Sequence, residues 1–285
     1  MNKEWSDFIN HIICSLQSIK GITAIALGGS RARGNHTNKS DVDLGLYYNP
    51  ENPPDIIALN RLASELDDNH RVNLVTEIGE WGRWINGGAW LQVEGVAVDF
   101  LYRDLAKVNR VIDDCQSGKI TIDYQPGHPH GFVSSIYMGE IAICQPLYDP
   151  DSVLEALKVK TKPYPAQLKQ ATINTFAWEI SFSLFVAKKA IARNDVAYAA
   201  GCCFRSVACI NQVLFALNEN YLLNEKAAVS VANTFAICPQ NYQQTVEQAF
   251  TLLAADAKSI TEAITILEMI ENDLIQWYGN RRLLM

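Results

Sequence analysis

Residues 22–47 read ITAIALGGSRARGNHTNKSDVDLGLY. Ile22 to Leu27 is an unbroken apolar run of strand length, and Gly28-Gly29 ends it. A polar stretch runs from Ser30 to Ser40. Val42, Leu44 and Leu46 then alternate with Asp43, Gly45 and Tyr47, as in a half-buried strand. Side chains two apart on a strand share a face, so Asp41 and Asp43 project together. Two neighbouring carboxylates repel unless a cation lies between them. Magnesium suits this role, because it takes few protein carboxylates and keeps its other positions for water and phosphate oxygens. At Gly28-Gly29 no Cβ stands between the backbone N–H groups and a phosphate, and the Ser30 hydroxyl adds a donor.

Working outward, Lys3 to Ser18 reads as an amphipathic helix with Trp5, Phe8, Ile9, Ile12, Ile13 and Leu16 on one stripe. After Pro53-Pro54, the pattern predicts a helix over Ile56 to Asp67 and a strand over Val72 to Ile78. Trp90 to Tyr102 holds two strand-like runs parted near Glu94-Gly95, and Asn86-Gly87 suits a type I′ hairpin turn. Within the second run, Val96-Ala97-Val98-Asp99-Phe100-Leu101, an ionised Asp99 is costly without partners. Its natural partners are the cations that Asp41 and Asp43 call for. Three carboxylates behind a glycine turn make a two-metal arrangement for in-line displacement at phosphorus.

The second half changes character. Gln125 to Phe132, with Pro126, Gly127, Pro129 and Gly131, reads as an ordered loop, and Pro163 to Pro165 marks a boundary. Helical periodicity then covers Gln167 to Arg193, Val196 to Asn218, Glu225 to Thr234, Tyr242 to Ala254 and Ile260 to Tyr278. Trp178, Phe182, Phe185, Phe204, Phe215 and Trp277 fall at core-like spacing in what reads as an up-and-down bundle. The predicted fold class is α+β, with a mixed sheet and flanking helices over residues 1–160 and a helical bundle over 161–285.

Composition narrows the function. At 48% hydrophobic and 19% charged residues, the 285-residue chain is not disordered in bulk. Lys and Arg total 24 against 31 Asp and Glu, a formal charge of -7, so diffuse attraction to nucleic acid or an anionic membrane is not the default. No stretch reads as the roughly 18–20 uninterrupted apolar residues of a membrane span, and the acidic residues within Met1 to Asp7 predict no signal peptide. The seven cysteines lack C-x-x-C spacing, which fits reduced thiols in a cytoplasmic protein better than disulfides or a zinc site.

The series Gly28-Gly29-Ser30, Asp41-x-Asp43 and Asp99 resembles the signature of the polymerase-beta-like nucleotidyltransferase superfamily. Kanamycin-type and lincosamide-type antibiotic nucleotidyltransferases belong to it. Trp81-Gly82-x-Trp84, Asn86-Gly87-Gly88-Ala89-Trp90, Tyr102-Arg103-Asp104-Leu105 and Gly139-Glu140 are similar to stretches in a group of bacterial nucleotidyltransferase-domain proteins. The resemblance implies a mixed sheet carrying the three aspartates as ligands of two Mg2+ ions. It also implies a helical bundle that helps form the acceptor pocket at the junction with the sheet.

The implied reaction moves a nucleoside monophosphate from a nucleoside triphosphate, ATP first, to an acceptor hydroxyl or phosphate, releasing pyrophosphate. Gly28, Gly29, Ser30 and Ser40 would hold the nucleotide, with Arg31 and Arg33 as phosphate clamps. Glu140, in an otherwise apolar stretch, is the candidate general base, with Asp99 as its rival. A small molecule such as an aminoglycoside-like antibiotic ranks first as acceptor, since an acidic cleft suits a polycation. RNA, a protein side chain in a toxin-type setting, and a nucleotide-sensing protein without turnover are the alternatives. Members of the superfamily often build one site from two subunits, which makes a homodimer an expectation.

Four further features have plainer readings. His128 and His130 flank Pro129 as two exposed imidazoles on an ordered loop. Trp81, Trp84 and Trp90 form packing surface or stack on a base or acceptor. Asn224 caps a helix start, with Lys226 beside it as a phosphate contact in the alternative. Glu179, Lys188 and Lys189 are isolated polar positions among helical apolar residues.

Overall fold

The computed structural model describes residues 3–34, 36, 37 and 39–278. Its elements run α1 (Lys3–Leu16), β1 (Ile22–Leu27), α2 (Gly29–Arg33), β2 (Val42–Tyr48), α3 (Ile56–Leu66), β3 (Gly88–Val93), β4 (Val96–Asp104), α4 (Leu105–Gln116), β5 (Ile122–Asp123) and β6 (Phe132–Val133). They continue with α5 (Ser135–Ile143), β7 (Gln145–Tyr148), α6 (Val153–Val159), α7 (Ala166–Ala187), a 3-10 turn at Lys188–Arg193, α8 (Val196–Leu217), α9 (Ala228–Ala232), α10 (Tyr242–Leu252) and α11 (Ala257–Tyr278). The chain divides into two compact units. One holds residues up to Asp113 with Asp123–Gly127 and Tyr137–Pro163, and the other holds Asp114–Ile122, His128–Ile136 and the chain from Tyr164. The architecture is α+β, a mixed sheet with flanking helices followed by a helical region.

In the first unit a five-stranded sheet has the order β3-β4-β2-β1-β7. Strands β2 and β4 are parallel, and the other neighbours are antiparallel. Strand alternation separates its faces. Val42, Leu44 and Leu46 of β2, Val98, Phe100 and Tyr102 of β4, and Ala89, Leu91 and Val93 of β3 are all buried in one cluster. Ile9, Ile12 and Leu16 of α1, Ile25 and Leu27 of β1, and Leu59 and Ala63 of α3 belong to the same cluster. At roughly 1.5–3 kcal/mol for each buried Leu or Ile, this face dominates the unit's stability. The residues between them, Asp43, Asp99 and Trp90, therefore belong to the opposite face.

Local chemistry sets the turns. Glu94 and Gly95, at φ 49° and 75°, form the two-residue β3–β4 hairpin turn that favours positive φ at both positions. The Asp68 carboxylate accepts from both their N–H groups at 2.8 Å. The expected hairpin turn at Asn86-Gly87 is thus displaced to Glu94-Gly95. Residues 72–78 do not form the expected strand. Asn73 lies at φ 57°, off the extended region, and Thr76 N–H donates to the Gly88 carbonyl at 2.9 Å. Asp55 caps α3, accepting from Ala58 N–H at 3.0 Å.

The helical unit packs α7, α8 and α11 around a core that includes Phe176, Ile180, Leu184, Cys209, Val213, Leu214, Ile264 and Leu267. The periodic pattern placed Trp178, Phe182 and Phe185 in this core, but they stand 38%, 38% and 45% exposed. The buried stripe of α7 runs through Phe176, Ile180 and Leu184 instead, and aromatic size misled the reading. Phe215 is buried as expected, and Trp277 packs at the cluster's edge. Among the described residues one helix, Val196–Leu217, is long and apolar enough by length and composition to cross a membrane, although Arg205, Asn211 and Gln212 interrupt it, and it is largely buried as a core helix. The predicted Glu225–Thr234 helix shortens to Ala228–Ala232 behind Ala227 at φ 62°, and Asn224 Oδ1 accepts from Lys226 N–H at 2.7 Å.

Candidate active site

Strand register assembles the site. Asp43 of β2 sits opposite Asp99 of β4, and Asp99 sits opposite Trp90 of β3. Directly paired residues point to the same side, so Asp43, Asp99 and Trp90 form one row across three strands spaced about 4.8 Å apart. Asp41, two residues before Asp43, joins the row from the exposed lead-in to β2. All three predicted aspartates thus lie on one face of the sheet.

Their charges interact. Asp99 is pushed up from 3.8 to about 7, first by burial and then by the charges of Asp43 and Asp41. A proton is one way to relieve such a cluster, and a divalent cation is the other. The residues present fit the cation. They are all oxygen donors, they converge from two adjacent strands, and their repulsion is what a bound positive charge removes.

The glycine turn meets this row at close range. Gly28 N–H donates to the Asp43 carbonyl at 2.8 Å, which fixes the start of α2 against β2. Gly29 has φ 59°, and a Cβ built there would overlap the Asp43 carboxylate. Only glycine gives that carboxylate its space. Ser30 follows in the first turn of α2, where backbone N–H groups have no acceptor within the helix.

The arginines and Ser40 are placed differently from the phosphate-clamp expectation. Arg31 Nη2 donates to the Ser40 carbonyl at 2.7 Å, and Nε donates to the Asp41 carbonyl at 3.1 Å. Its guanidinium also lies 4.3 Å from the Trp5 ring centroid. Arg31 thereby holds the backbone that carries Asp41. The Ser40 hydroxyl accepts from Thr37 N–H at 2.9 Å and so closes the loop before β2. Arg33 ends α2 on its exposed side.

Glu140 is a correction. Arg103 Nε and Nη2 donate to its two carboxylate oxygens at 2.8 and 2.7 Å. Burial lowers the proton affinity of the Arg103 guanidinium, but the Glu140 carboxylate outweighs it and the net shift is upward. Arg103 follows Asp99 by four residues on β4, about 13 Å along the strand. A carboxylate clamped there by a buried guanidinium has both oxygens occupied and stands away from the three aspartates. Any role as general base would have to compete with that ion pair. Burial of Arg103 was the missing signal, and a charged residue between Tyr102 and Asp104 gave no hint of it.

Trp90 was the undervalued residue. It is 60% exposed and stacks on Trp81, with ring centroids 4.3 Å apart at 19°. Trp84 is instead buried, donating its indole N–H to Asp123 Oδ2 at 2.9 Å. Alternation already set Trp90 opposite Ala89 and Leu91; its pairing with Asp99 required the register. His128 and His130 also depart from expectation, since both side chains are buried.

A family model described as a nucleotidyltransferase domain matches residues 9–120, which include the glycine turn and all three aspartates. A second model, a domain of unknown function (DUF4037), matches residues 138–226. None of the curated protein sequences matches the chain. Among solved structures, a nucleotidyltransferase-like protein from Exiguobacterium sibiricum is similar at 10% identity and a TM-score of 0.42, with 96% of this chain and 77% of that one covered.

Proposed function

We propose, from the premise that residues 9–120 of this chain constitute a nucleotidyltransferase domain, that the protein moves a nucleoside monophosphate from a nucleoside triphosphate, ATP first, to a hydroxyl of a small ring-bearing acceptor. The observation that carries this reading is the row Asp43–Asp99–Trp90, with Asp99 pushed up to about 7 beside Asp43 and Asp41. Asp41, Asp43 and Asp99 would hold the two Mg2+ ions, which neutralise the triphosphate and polarise the phosphorus under attack. Gly29 and Ser30 would present their N–H groups and the Ser30 hydroxyl to the phosphates, while the Gly28 N–H, held by the Asp43 carbonyl, anchors the turn and Arg31 keeps the Asp41 backbone in place.

Direction follows from strand order. In-line displacement puts the leaving pyrophosphate and the attacking oxygen on opposite sides of phosphorus. The glycine turn follows β1, on one flank of β2, and β4 and then β3 lie on the other flank. With pyrophosphate at the glycine turn, the acceptor approaches past Asp99 and Trp90. Asp99 is the carboxylate positioned to take the hydroxyl proton. The exposed Trp90 indole, backed by Trp81, offers a flat apolar face to the acceptor ring. The net charge of -7 supports a cationic small molecule over RNA as acceptor.

The test supplies each α-labelled nucleoside triphosphate with Mg2+ to the purified chain, with aminoglycosides, lincosamides, adenosine and bulk tRNA as acceptors. Label is expected on a small ring-bearing molecule with stoichiometric pyrophosphate. Trp90→Ala should then raise the acceptor KM about tenfold and leave the ATP KM unchanged, with Trp90→Phe recovering most of the loss. Label on tRNA or on the chain itself would overturn the acceptor assignment. Nucleotide binding with no pyrophosphate release would sink transfer altogether.

Gly29→Ala is expected to cut transfer at least about tenfold and to lower stability by about 1–2 kcal/mol, since it adds left-handed strain to a collision with Asp43. Gly95→Ala is the control. Gly95 also has positive φ, at 75°, but a Cβ there meets open space, so stability alone should fall. Equal activity losses in the two variants would argue against the Gly29–Asp43 contact.

A further inference from the structure

Apart from the aspartate row, His130, Glu179 and Cys209 converge among the described residues with their ligand atoms all within 4.8 Å of one another. They come from three separate segments, the loop before β6, the middle of α7 and the middle of α8. His130 is 7% exposed, Cys209 is fully buried and the Glu179 side chain is 12% exposed. Nothing in nucleotidyl transfer at the aspartates uses them.

The donor set and spacing suit one ion. Imidazole nitrogen, thiolate sulfur and carboxylate oxygen are the ligands that Zn2+ takes in tetrahedral sites. With Zn–N near 2.05 Å and Zn–S near 2.3 Å, a tetrahedral angle separates nitrogen from sulfur by about 3.6 Å. His130 Nε2 and Cys209 Sγ stand 3.6 Å apart. Arg205 Nε donates to Glu179 Oε1, which fixes the carboxylate beside His130 and Cys209.

The loop is braced for the task. Glu225 Oε1 accepts from His130 N–H at 2.8 Å, which sets the backbone that carries the imidazole. His128 Nδ1 and Glu225 Oε2 face each other at 3.3 Å, both buried and without hydrogen-bond geometry. A ligand loop drawn tight by a cation would use such a brace.

We propose that His130, Glu179 and Cys209 bind one Zn2+, with a fourth position for water, and that the ion pins the loop before β6 to α7 and α8. Binding replaces the Cys209 S–H bond with a Zn–S bond and releases one proton to solvent. No electrons are transferred.

The experiment uses the full chain. After exposure to zinc and dialysis into metal-free buffer, one zinc per chain should remain beyond any held by the aspartates, and Asp43→Asn should retain it. Co2+ in its place should give an intense near-ultraviolet thiolate-to-cobalt charge-transfer band, which an all-carboxylate site cannot produce. Cys209→Ser, nearly isosteric, should abolish the band and weaken zinc binding about 100-fold, while His130→Gln should weaken binding and keep a sulfur band. The proposal is overturned if wild-type protein shows no thiolate band, or if the band survives in Cys209→Ser and so belongs to another cysteine.

Discussion

Asp43→Asn is expected to lower magnesium-dependent pyrophosphate release at least about a thousandfold, with far-ultraviolet circular dichroism unchanged. Asp43 is the centre of the site. It pairs in register with Asp99, lies two residues from Asp41, and packs its carboxylate against Gly29. An amide of the same shape keeps the packing and removes the charge, so the loss reads out electrostatics, which in enclosed sites are worth several kcal/mol. A drop of less than about tenfold would mean that the aspartate row is not where phosphorus is attacked.

The same row makes the metal-free protein pH-sensitive. Asp99 titrates near 3.8 when unfolded and at about 7 when folded. Between those values the native state holds a proton that the unfolded chain has lost, so stability falls as pH rises from about 4 to about 7 and is level above. Melting temperature in chelator should decline across that window. Saturating Mg2+ should restore it by neutralising the cluster, and Asp99→Asn should remove the decline. A melting temperature independent of pH in chelated wild-type protein would show that Asp99 is not held among like charges.

Glu140→Ala is expected to destabilise the first unit by about 3–5 kcal/mol, because it leaves the buried Arg103 guanidinium without its carboxylate. Urea denaturation measures this directly. Glu140→Gln preserves shape and one acceptor oxygen, so it should cost less. The transfer rate per folded molecule in Glu140→Gln should stay within about twofold of wild type. A general base would behave in the opposite way, with a rate loss of about 100-fold or more at little cost in stability. The pair of measurements separates the ion pair seen with Arg103 from the catalytic role that an apolar neighbourhood suggested.

Glu140 shows why some of the site was illegible. Tyr137-Met138-Gly139-Glu140 displays a carboxylate among apolar residues, and that pattern fits a tuned acid and a buried salt bridge equally well. What distinguishes them is the partner, 37 residues away on β4. The partners of Arg31 were illegible for a similar reason. A guanidinium beside a phosphate-like turn fits a clamp, but its donors reach the carbonyls of Ser40 and Asp41 first. His128 and His130, in a Gly- and Pro-rich loop that reads as solvent-exposed, are buried, His128 against Glu225 and His130 against α7 and α8, segments that no local pattern connects to them.

What could be read from the chain was whatever depends on a period of two or on a missing Cβ. Alternation alone put Asp41 and Asp43 on one side of a strand, away from Val42, Leu44 and Leu46. Gly28-Gly29 announced a turn with space beside it, and the mean period of the later segments announced helices. These are local properties, set by backbone geometry within a few residues. Register is different, because hydrogen bonding between strands brings residues from distant parts of the chain to within about 5 Å. It made Asp99 the neighbour of both Asp43 and Trp90. It took the folded chain, likewise, to set Glu140 against Arg103 and to gather His130, Glu179 and Cys209, since which charges meet inside a protein depends on how elements pack and not on their order.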